Sequence, residues 1–239
     1  MIVPEAPRFL YERVVDLSRP LIPGHNQHPW FRYDVTVQSI VEDIDHAPVE
    51  GRWYVVSKVA MSGHAGTHVE APFHAVENGA SVGQVPVDCF FGEAVVLDLS
   101  DVPWAEPVPI ERIEAAARNA GGIRRGEIIF LRFDWDRRSE GDGRHPPYPS
   151  PQALRWLIDQ GIKLIGIDSP GLEVPGDRRL TNHHQLFDHG IPLIESLAHL
   201  EDLHESRIYV FAQPLLAFGA DAIPLRVLAF EGGGSNNKP

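Results

Sequence analysis

The chain has 239 residues, of which 43% are hydrophobic and 23% charged, as in a globular protein that buries a sizeable core. Its formal net charge of −12 comes without any basic run, which argues against non-specific binding to nucleic acid or to an anionic membrane. Cys89 is the single cysteine, so an internal disulfide and a thiolate zinc site are excluded. No stretch approaches the roughly 20 apolar residues that span a bilayer, and the charged N-terminus lacks the apolar core of a signal peptide. We therefore expect a cytoplasmic protein.

Segments rich in Val, Ile, Leu and aromatic residues predict a series of strands. They are residues 11–17, 33–41, 53–61, 92–99, 127–133, 162–167, 207–213 and 225–230. The early strands lack crossover helices, so the sheet cannot be purely parallel, and the fold class is α/β with a mixed sheet. Without an internal repeat or a long linker, we expect a single domain over residues 1–231. The Gly-rich residues 232–239 predict a flexible C-terminal tail.

Two helices are well marked between the later strands. The first begins at Pro109, carries an apolar stripe and ends at the Gly121–Gly122 pair. The second begins with Ser150–Pro151, an N-cap followed by a first-turn proline, and ends at Gly161.

One short segment concentrates three histidines and a carboxylate. It reads His64-Ala-Gly-Thr-His68-Val-Glu70-Ala-Pro-Phe-His74. Neutral imidazole and carboxylate suit zinc, manganese and similar divalent ions, so the cluster predicts a metal site. The chain has 12 histidines, and a lone histidine is more often solvated or hydrogen-bonded in a core than a ligand. The compact grouping is what favours the metal.

The same segment is predicted to turn and then run extended. Gly66 and the β-branched residues that follow it argue against a continuous helix. In extended chain from Thr67 onward, the side chains of His68, Glu70 and His74 would share one face. A turn at Gly66 would fold the first histidine of the segment back to join them.

A second constellation lies downstream. A third helix is expected to begin near Thr181 or Asn182 and to end before Gly190. It carries His183, and the chain then enters a short strand ending at Glu195, so both side chains could return to the metal site. The alternative is that the histidines of this helix are exposed and that Glu195 is an ordinary charge at a strand end.

The chain resembles the cyclase family of metal-dependent hydrolases, which includes bacterial kynurenine formamidases and isatin hydrolases. The first segment is similar to the family signature His-x-Gly-Thr-His-x-Asp-x-Pro-x-His, with Glu70 in place of the aspartate. The resemblance continues, in order and spacing, through Leu131–Trp135, Ser150–Leu157, Gly166–Pro170 and His183–Glu195. It covers most of the chain, from about residue 14 to 230.

The resemblance implies a binuclear type of metal site. Its ligands would be His64, His68, Glu70, His183 and Glu195, with the two carboxylates as bridges. The longer arm of glutamate leaves open whether one or two ions bind per chain, and whether they are zinc or manganese.

Further implications concern catalysis, substrate and assembly. His74 falls at the position of the catalytic acid/base. Formamidases place a tryptophan against the substrate in the region of Gly24–Trp30, which makes Trp30 the expected substrate contact, although here it follows the proline. The family also implies a swivelling β/β/α type of fold and a homodimer or higher homo-oligomer.

The leading functional hypothesis is a hydrolase that cleaves an amide carbon–nitrogen bond with metal-activated water. A formamide or a cyclic amide would be the small-molecule substrate, as in an arylformamidase. A lactone is a close variant, because the same nucleophile attacks an ester. Two other classes stay open: a non-haem iron oxygenase built on His68, Glu70 and a distant histidine, and a non-catalytic protein with a structural metal.

Overall fold

The computed structural model describes residues 11–24, 31–39, 54–135 and 145–232. Trp30 and nearly all of the predicted tail lie outside these ranges. Within them, no helix combines the length and the apolar character needed to cross a membrane.

The described residues form thirteen strands, three α-helices and several short 3₁₀ helices. The strands are β1 (Arg13–Asp16), β2 (Tyr33–Ser39), β3 (Val55–Met61), β4 (His68–Glu70), β5 (Phe91–Asp98), β6 (Pro107–Val108), β7 (Ile128–Arg132), β8 (Tyr148–Pro149), β9 (Leu164–Ile167), β10 (Leu193–Glu195), β11 (Arg207–Phe211), β12 (Ala222–Pro224) and β13 (Leu228–Glu231). The α-helices are α1 (Ile110–Asn119), α2 (Pro151–Asp159) and α3 (Thr181–Phe187), and the 3₁₀ helices are Pro72–His74, Val82–Gln84, Val87–Phe90 and Leu200–Asp202.

Every predicted strand segment contains a strand, and all three predicted helices are present. The short strand predicted to end at Glu195 is β10. The pairs β6–β8 and β4–β12 add strands of two or three residues, which are too short to produce an apolar pattern that the sequence could reveal.

Nine strands form one mixed sheet in the order β1-β13-β11-β5-β7-β9-β10-β4-β12. The central strands β5, β7, β9 and β10 are parallel, and the flanking pairs are antiparallel, so the predicted mixed sheet is confirmed. The central strands are buried on both faces, as the parallel part of such a sheet requires. A separate, mostly exposed hairpin is formed by β2 and β3.

Two hydrophobic cores cover the two faces of the sheet. The α1 and α2 helices pack on one face, where Ile113 and Leu154 are fully buried together with Leu193 of β10. Val69 and Ile194 belong to the core on the opposite face. Because side chains alternate along a strand, the neighbours of these two residues point toward the helix face.

The strand register brings distant polar residues together at one end of the sheet. His68 of β4 pairs with Glu195 of β10, and Glu70 pairs with Leu193 on one side and Ala222 on the other. Directly paired residues of antiparallel strands point to the same face. The ladders therefore place His68, Glu70 and Glu195 side by side on the helix face.

Truncation of the sheet core should destabilise the fold strongly. Leu131 of β7 is fully buried, so we expect Leu131→Ala to lower the free energy of unfolding by about 2–5 kcal/mol. Leu216→Ala is the matched control, because Leu216 is 78% exposed and its loss should change the free energy by less than about 0.5 kcal/mol. Urea unfolding of both variants measures the difference, and equal losses would contradict the described packing.

Candidate metal centre

The turn before β4 folds as the sequence predicts. Gly66 has a φ of +62°, and a Cβ there would lie 2.7 Å from Leu21 Cδ2, so both conformation and space favour glycine. The turn also includes a hydrogen bond from Ala65 N to Ser62 O. It returns His64 to the strand, where its Nδ1 lies 2.9 Å from Glu70 Oε1.

The path of the chain after Glu70 differs from the prediction. The extended chain expected to continue through His74 ends at Glu70, and Pro72–His74 form a 3₁₀ helix. The fixed φ of Pro72 suits the first helical position, and His74 N donates to Ala71 O. The turn still brings His74 to the cluster, with Nε2 3.7 Å from Glu70 Oε1.

The α3 helix carries His183 into the same place. Its carboxylate partner is Glu173, which accepts hydrogen bonds from the backbone N of Asn182 and of His183 and thereby caps the start of the helix. His183 is only 6% exposed, so the alternative of an exposed helix is wrong for this histidine. His184 on the same helix is partly buried, and His189, which lies beyond the end of the helix, is exposed.

Two buried carboxylates lie between the imidazoles, and their oxygen atoms contact the same two histidines. Glu70 Oε1 lies 3.6 Å from His68 Nε2, and Glu70 Oε2 lies 3.5 Å from His183 Nε2. Glu195 Oε2 lies 3.7 Å from His68 Nε2, and Glu195 Oε1 lies 3.9 Å from His183 Nε2. Each carboxylate therefore directs one oxygen to His68 and the other to His183.

The outer nitrogens of the two most buried histidines have acceptors. Nδ1 of His68 lies 2.9 Å from Gly66 O, and Nδ1 of His183 lies 2.8 Å from Glu173 Oε2. An Nδ1–H that donates outward leaves Nε2 with its lone pair facing the centre. Both rings are therefore oriented as metal-ligating histidines are.

Asp221 is the acceptor beside the other two histidines, His64 and His74. It directly precedes β12, and its Oδ2 lies 3.0 Å from His64 Nε2 and 3.1 Å from His74 Nδ1. The Asp221 side chain is 45% exposed, whereas that of Glu70 is 3% exposed. Asp221 thus forms the rim of the cluster and Glu70 its floor.

The carboxylates raise the basicity of the histidines. Burial alone would lower the pKa of His64, but interactions with Glu70 and Asp221 outweigh it and raise the pKa to about 9. Burial of His183 is likewise outweighed by Glu173 and Glu70, which raise its pKa to about 10. Without a bound cation, these raised pKa values favour protonated imidazoles, whose positive charge offsets that of the carboxylates.

The pKa values of the two buried carboxyl groups shift in opposite directions. Burial and the nearby charge of Glu70 raise the pKa of Glu195 to about 7. Burial also opposes ionisation of Glu70, but the nearby imidazoles of His183, His64 and His68 hold its pKa well below the ordinary range. Glu70 is therefore the firmly ionised member of the pair.

The donor set fits a divalent cation. Among the described residues, two atoms of the centre are buried without a hydrogen-bond partner, His68 Nε2 and Glu70 Oε2. Such atoms are costly unless a partner satisfies them, and both are lone-pair donors. Donor atoms of His64, His68 and Glu70 lie within 4.8 Å of one another, as do those of Glu70, His74 and His183. Imidazole nitrogen and carboxylate oxygen are the ligands that zinc and related ions take.

Sequence reasoning missed two acidic residues of the centre. Glu173 lies in the loop after β9, and Asp221 lies in the turn before β12. Neither belongs to a run of ligand-type residues, and their contacts depend on long-range folding.

Comparisons with known proteins show the same fold. A solved structure described as a potential metal-dependent hydrolase with cyclase activity superposes with a TM-score of 0.72 at 27% identity, covering 92% of this chain and 98% of that one. Isatin hydrolase A from Labrenzia aggregata has a TM-score of 0.74 at 27% identity, with 92% and 93% covered. The predicted fold class is thereby confirmed.

Sequence relatives give the same result. The chain is 29% identical to a kynurenine formamidase of Bacillus cereus over 219 residues, which are 90% of this chain and 95% of the relative. It is 30% identical to a kynurenine formamidase of Erythrobacter litoralis over 175 residues, 72% of this chain and 76% of the relative. The family model described as "Putative cyclase" matches residues 15–174. The chain belongs to the cyclase family.

Proposed function

We propose that this protein is a metal-dependent hydrolase that cleaves the carbon–nitrogen bond of a formamide or a cyclic amide, as an arylformamidase does. The observation that carries the proposal is the pair of buried donor atoms without a hydrogen-bond partner, at a point where four imidazoles converge on Glu70 and Glu195. The names of the relatives, kynurenine formamidase and isatin hydrolase, support amide bonds as the substrate class.

The proposed ligands are the residues that share the buried side of the centre. They are His64, His68, Glu70, His183 and Glu195. One cation would be held near His64 and His68 and a second near His183, because both carboxylates direct their two oxygens toward these two places. We propose zinc or manganese, with one or two ions per chain.

The chain's own residues supply orientation and proton transfer. When bound, a divalent cation supplies Lewis acidity that polarises a carbonyl and makes water nucleophilic near neutral pH. We assign the acid/base role to His74, whose side chain is 27% exposed, against 18% for His64 and 8% for His183. His74 Nε2 would accept a proton from water and donate it to the leaving nitrogen.

The other hypotheses from the sequence have less support. A lactone would react at the same site, because its carbonyl presents the same centre to the same nucleophile. An iron oxygenase uses two histidines and one carboxylate, a smaller set than the donors that converge here. Anaerobic assays of an aryl formamide, isatin and a lactone separate these activities, since hydrolysis needs no oxygen.

The wider proposal concerns assembly and substrate contact. We propose a cytoplasmic homodimer or higher homo-oligomer with a small-molecule substrate, and one catalytic domain over residues 1–231 followed by a flexible tail at 232–239. Trp30 is the proposed substrate contact. Its neighbour in sequence, Phe31, supports this role, because the Phe31 ring centre lies 6.2 Å from that of His64.

Both carboxylates should be needed to hold metal. We expect Glu70→Ala and Glu195→Ala to lose similar amounts of bound Zn²⁺, at least about 10-fold in affinity, because each loses an oxygen at both proposed positions. Elemental analysis per chain and chelator competition measure the effect. Asp188→Ala, at an exposed residue, is the control. Unchanged zinc content in either glutamate variant would remove that residue from the site.

Substitution of His74 should separate metal binding from turnover. We expect His74→Ala to keep its Zn²⁺ and to lose about 10²–10⁴-fold in kcat, because proton transfer is lost while the other donors stay. His184→Ala, at a partly buried position on α3, serves as the control. If the ion disappears together with the imidazole, His74 is a ligand and not the acid/base.

Metal-free protein should lose stability as the pH rises. His64 and His183 have folded pKa values of about 9 and about 10 against an ordinary 6.5, so their protonation stabilises the fold below 6.5 and this contribution is lost on passing those values. The pKa of Glu195 is raised from 4.5 to about 7, so its protonation also stabilises the fold at low pH and this contribution is also lost as the pH rises.

A bound cation replaces these protons, so the Zn²⁺-saturated protein should keep its Tm where the chelated protein loses it. Thermal unfolding with a chelator and with Zn²⁺, between about pH 6.5 and 9.5, measures both curves. Proton release on Zn²⁺ uptake at neutral pH is the second readout. Parallel curves and no proton release would contradict the described charge balance.

A further inference from the structure

Asp221 is held in a fixed position beside the first metal-site segment. Its backbone O accepts a hydrogen bond from Ala71 N at 2.8 Å, and the next residue, Ala222, pairs with Glu70. Gly63 packs so closely that a Cβ there would lie 2.4 Å from Ala222 O. The start of β12 therefore cannot move away from the segment without breaking this packing.

One oxygen of Asp221 faces two imidazoles. Oδ2 lies within hydrogen-bond distance of His64 Nε2 and His74 Nδ1, while the opposite nitrogens of both rings face Glu70 Oε1. A neutral imidazole carries one N–H, so a ring that donates to Asp221 presents a lone pair to the interior. A lone pair there is what a metal ligand needs at His64 and what a proton acceptor needs at His74.

We propose that Asp221 is a positioning residue that sets the orientation and the tautomer of His64 and His74 together. Through His64 it supports metal binding, and through His74 it supports proton transfer. The second part depends on the proposed hydrolase function, and the first part does not.

The geometry favours this role over direct ligation. The distances of 3.0 and 3.1 Å from Asp221 Oδ2 to the two rings are those of hydrogen bonds. The two buried donor atoms without a hydrogen-bond partner belong to His68 and Glu70, and both oxygens of the half-exposed Asp221 side chain lie outside that pair. Donor atoms of His64, His74 and Asp221 also lie within 4.8 Å of one another, so ligation by Asp221 is the outcome that the zinc count below separates from positioning. An acceptor behind a metal-ligating histidine is a common arrangement, and its substitution typically costs about 10–100-fold in metal affinity or activity.

The test is Asp221→Asn, which keeps the shape of the side chain but removes its charge and replaces one acceptor oxygen with a donor. Zn²⁺ affinity is measured by chelator competition in the parent and in His74→Ala. We expect a loss of about 10–100-fold in both backgrounds, because this effect passes through His64. Glu77→Gln, at an exposed acid three residues after His74, is the control and should leave affinity unchanged.

Turnover is measured at saturating Zn²⁺ on whichever of an aryl formamide and isatin the parent hydrolyses. Asp221→Asn should lower kcat by about 10–100-fold with KM nearly unchanged, and should add less than about 3-fold to the loss in His74→Ala. Multiplicative losses in the double variant would overturn the link to His74. Unchanged zinc affinity would overturn the link to His64.

If Asp221→Asn binds one zinc ion per chain fewer than the parent at saturating Zn²⁺, Asp221 is a ligand and the positioning role is overturned. Should the parent hydrolyse neither substrate, the proposed function fails while the zinc measurements still decide whether Asp221 acts through His64. Far-ultraviolet circular dichroism and the Tm of the zinc-loaded variants confirm that each is folded.

Discussion

Burial of two carboxyl groups side by side is the constraint around which the centre is arranged. Glu70 and Glu195 are 2% and 6% exposed, and the pKa of Glu195 is raised in part by the charge of Glu70. Like charges in such a place are unfavourable unless positive charge compensates them. Four imidazoles surround the pair, and they provide that charge as protons or leave lone pairs for a cation. The same residues can therefore stabilise the fold without metal and bind metal when it is present.

The acceptors behind the imidazoles decide which of these states a ring can adopt. Gly66 O lies behind His68, Glu173 behind His183, and Asp221 behind the two remaining rings. Each acceptor comes from a different part of the chain. The orientation of these imidazoles thus depends on the whole fold as well as on the cluster itself, as it does in metal sites whose ligands are hydrogen-bonded to outer residues.

Much of this architecture was predictable from the sequence. The central strands and the three helices have long apolar patterns or clear caps, and the His64–His74 segment is compact enough to identify a metal site and a family. The 3₁₀ helix at Pro72–His74 was missed because alternation of residue types described the segment equally well. Glu173 and Asp221 were missed because a lone acid in a loop carries no local signal, and only the pairing of β4 with β12 brings Asp221 to the histidines.

The shortness of β4 has a consequence for how this protein can change. Its three residues are paired on both sides, to β10 and to β12, and a shift by a single residue would exchange Val69 with the two polar side chains beside it. The same shift would turn His68 and Glu70 away from the helix face of the sheet, so the two strand pairings keep both side chains beside Glu195.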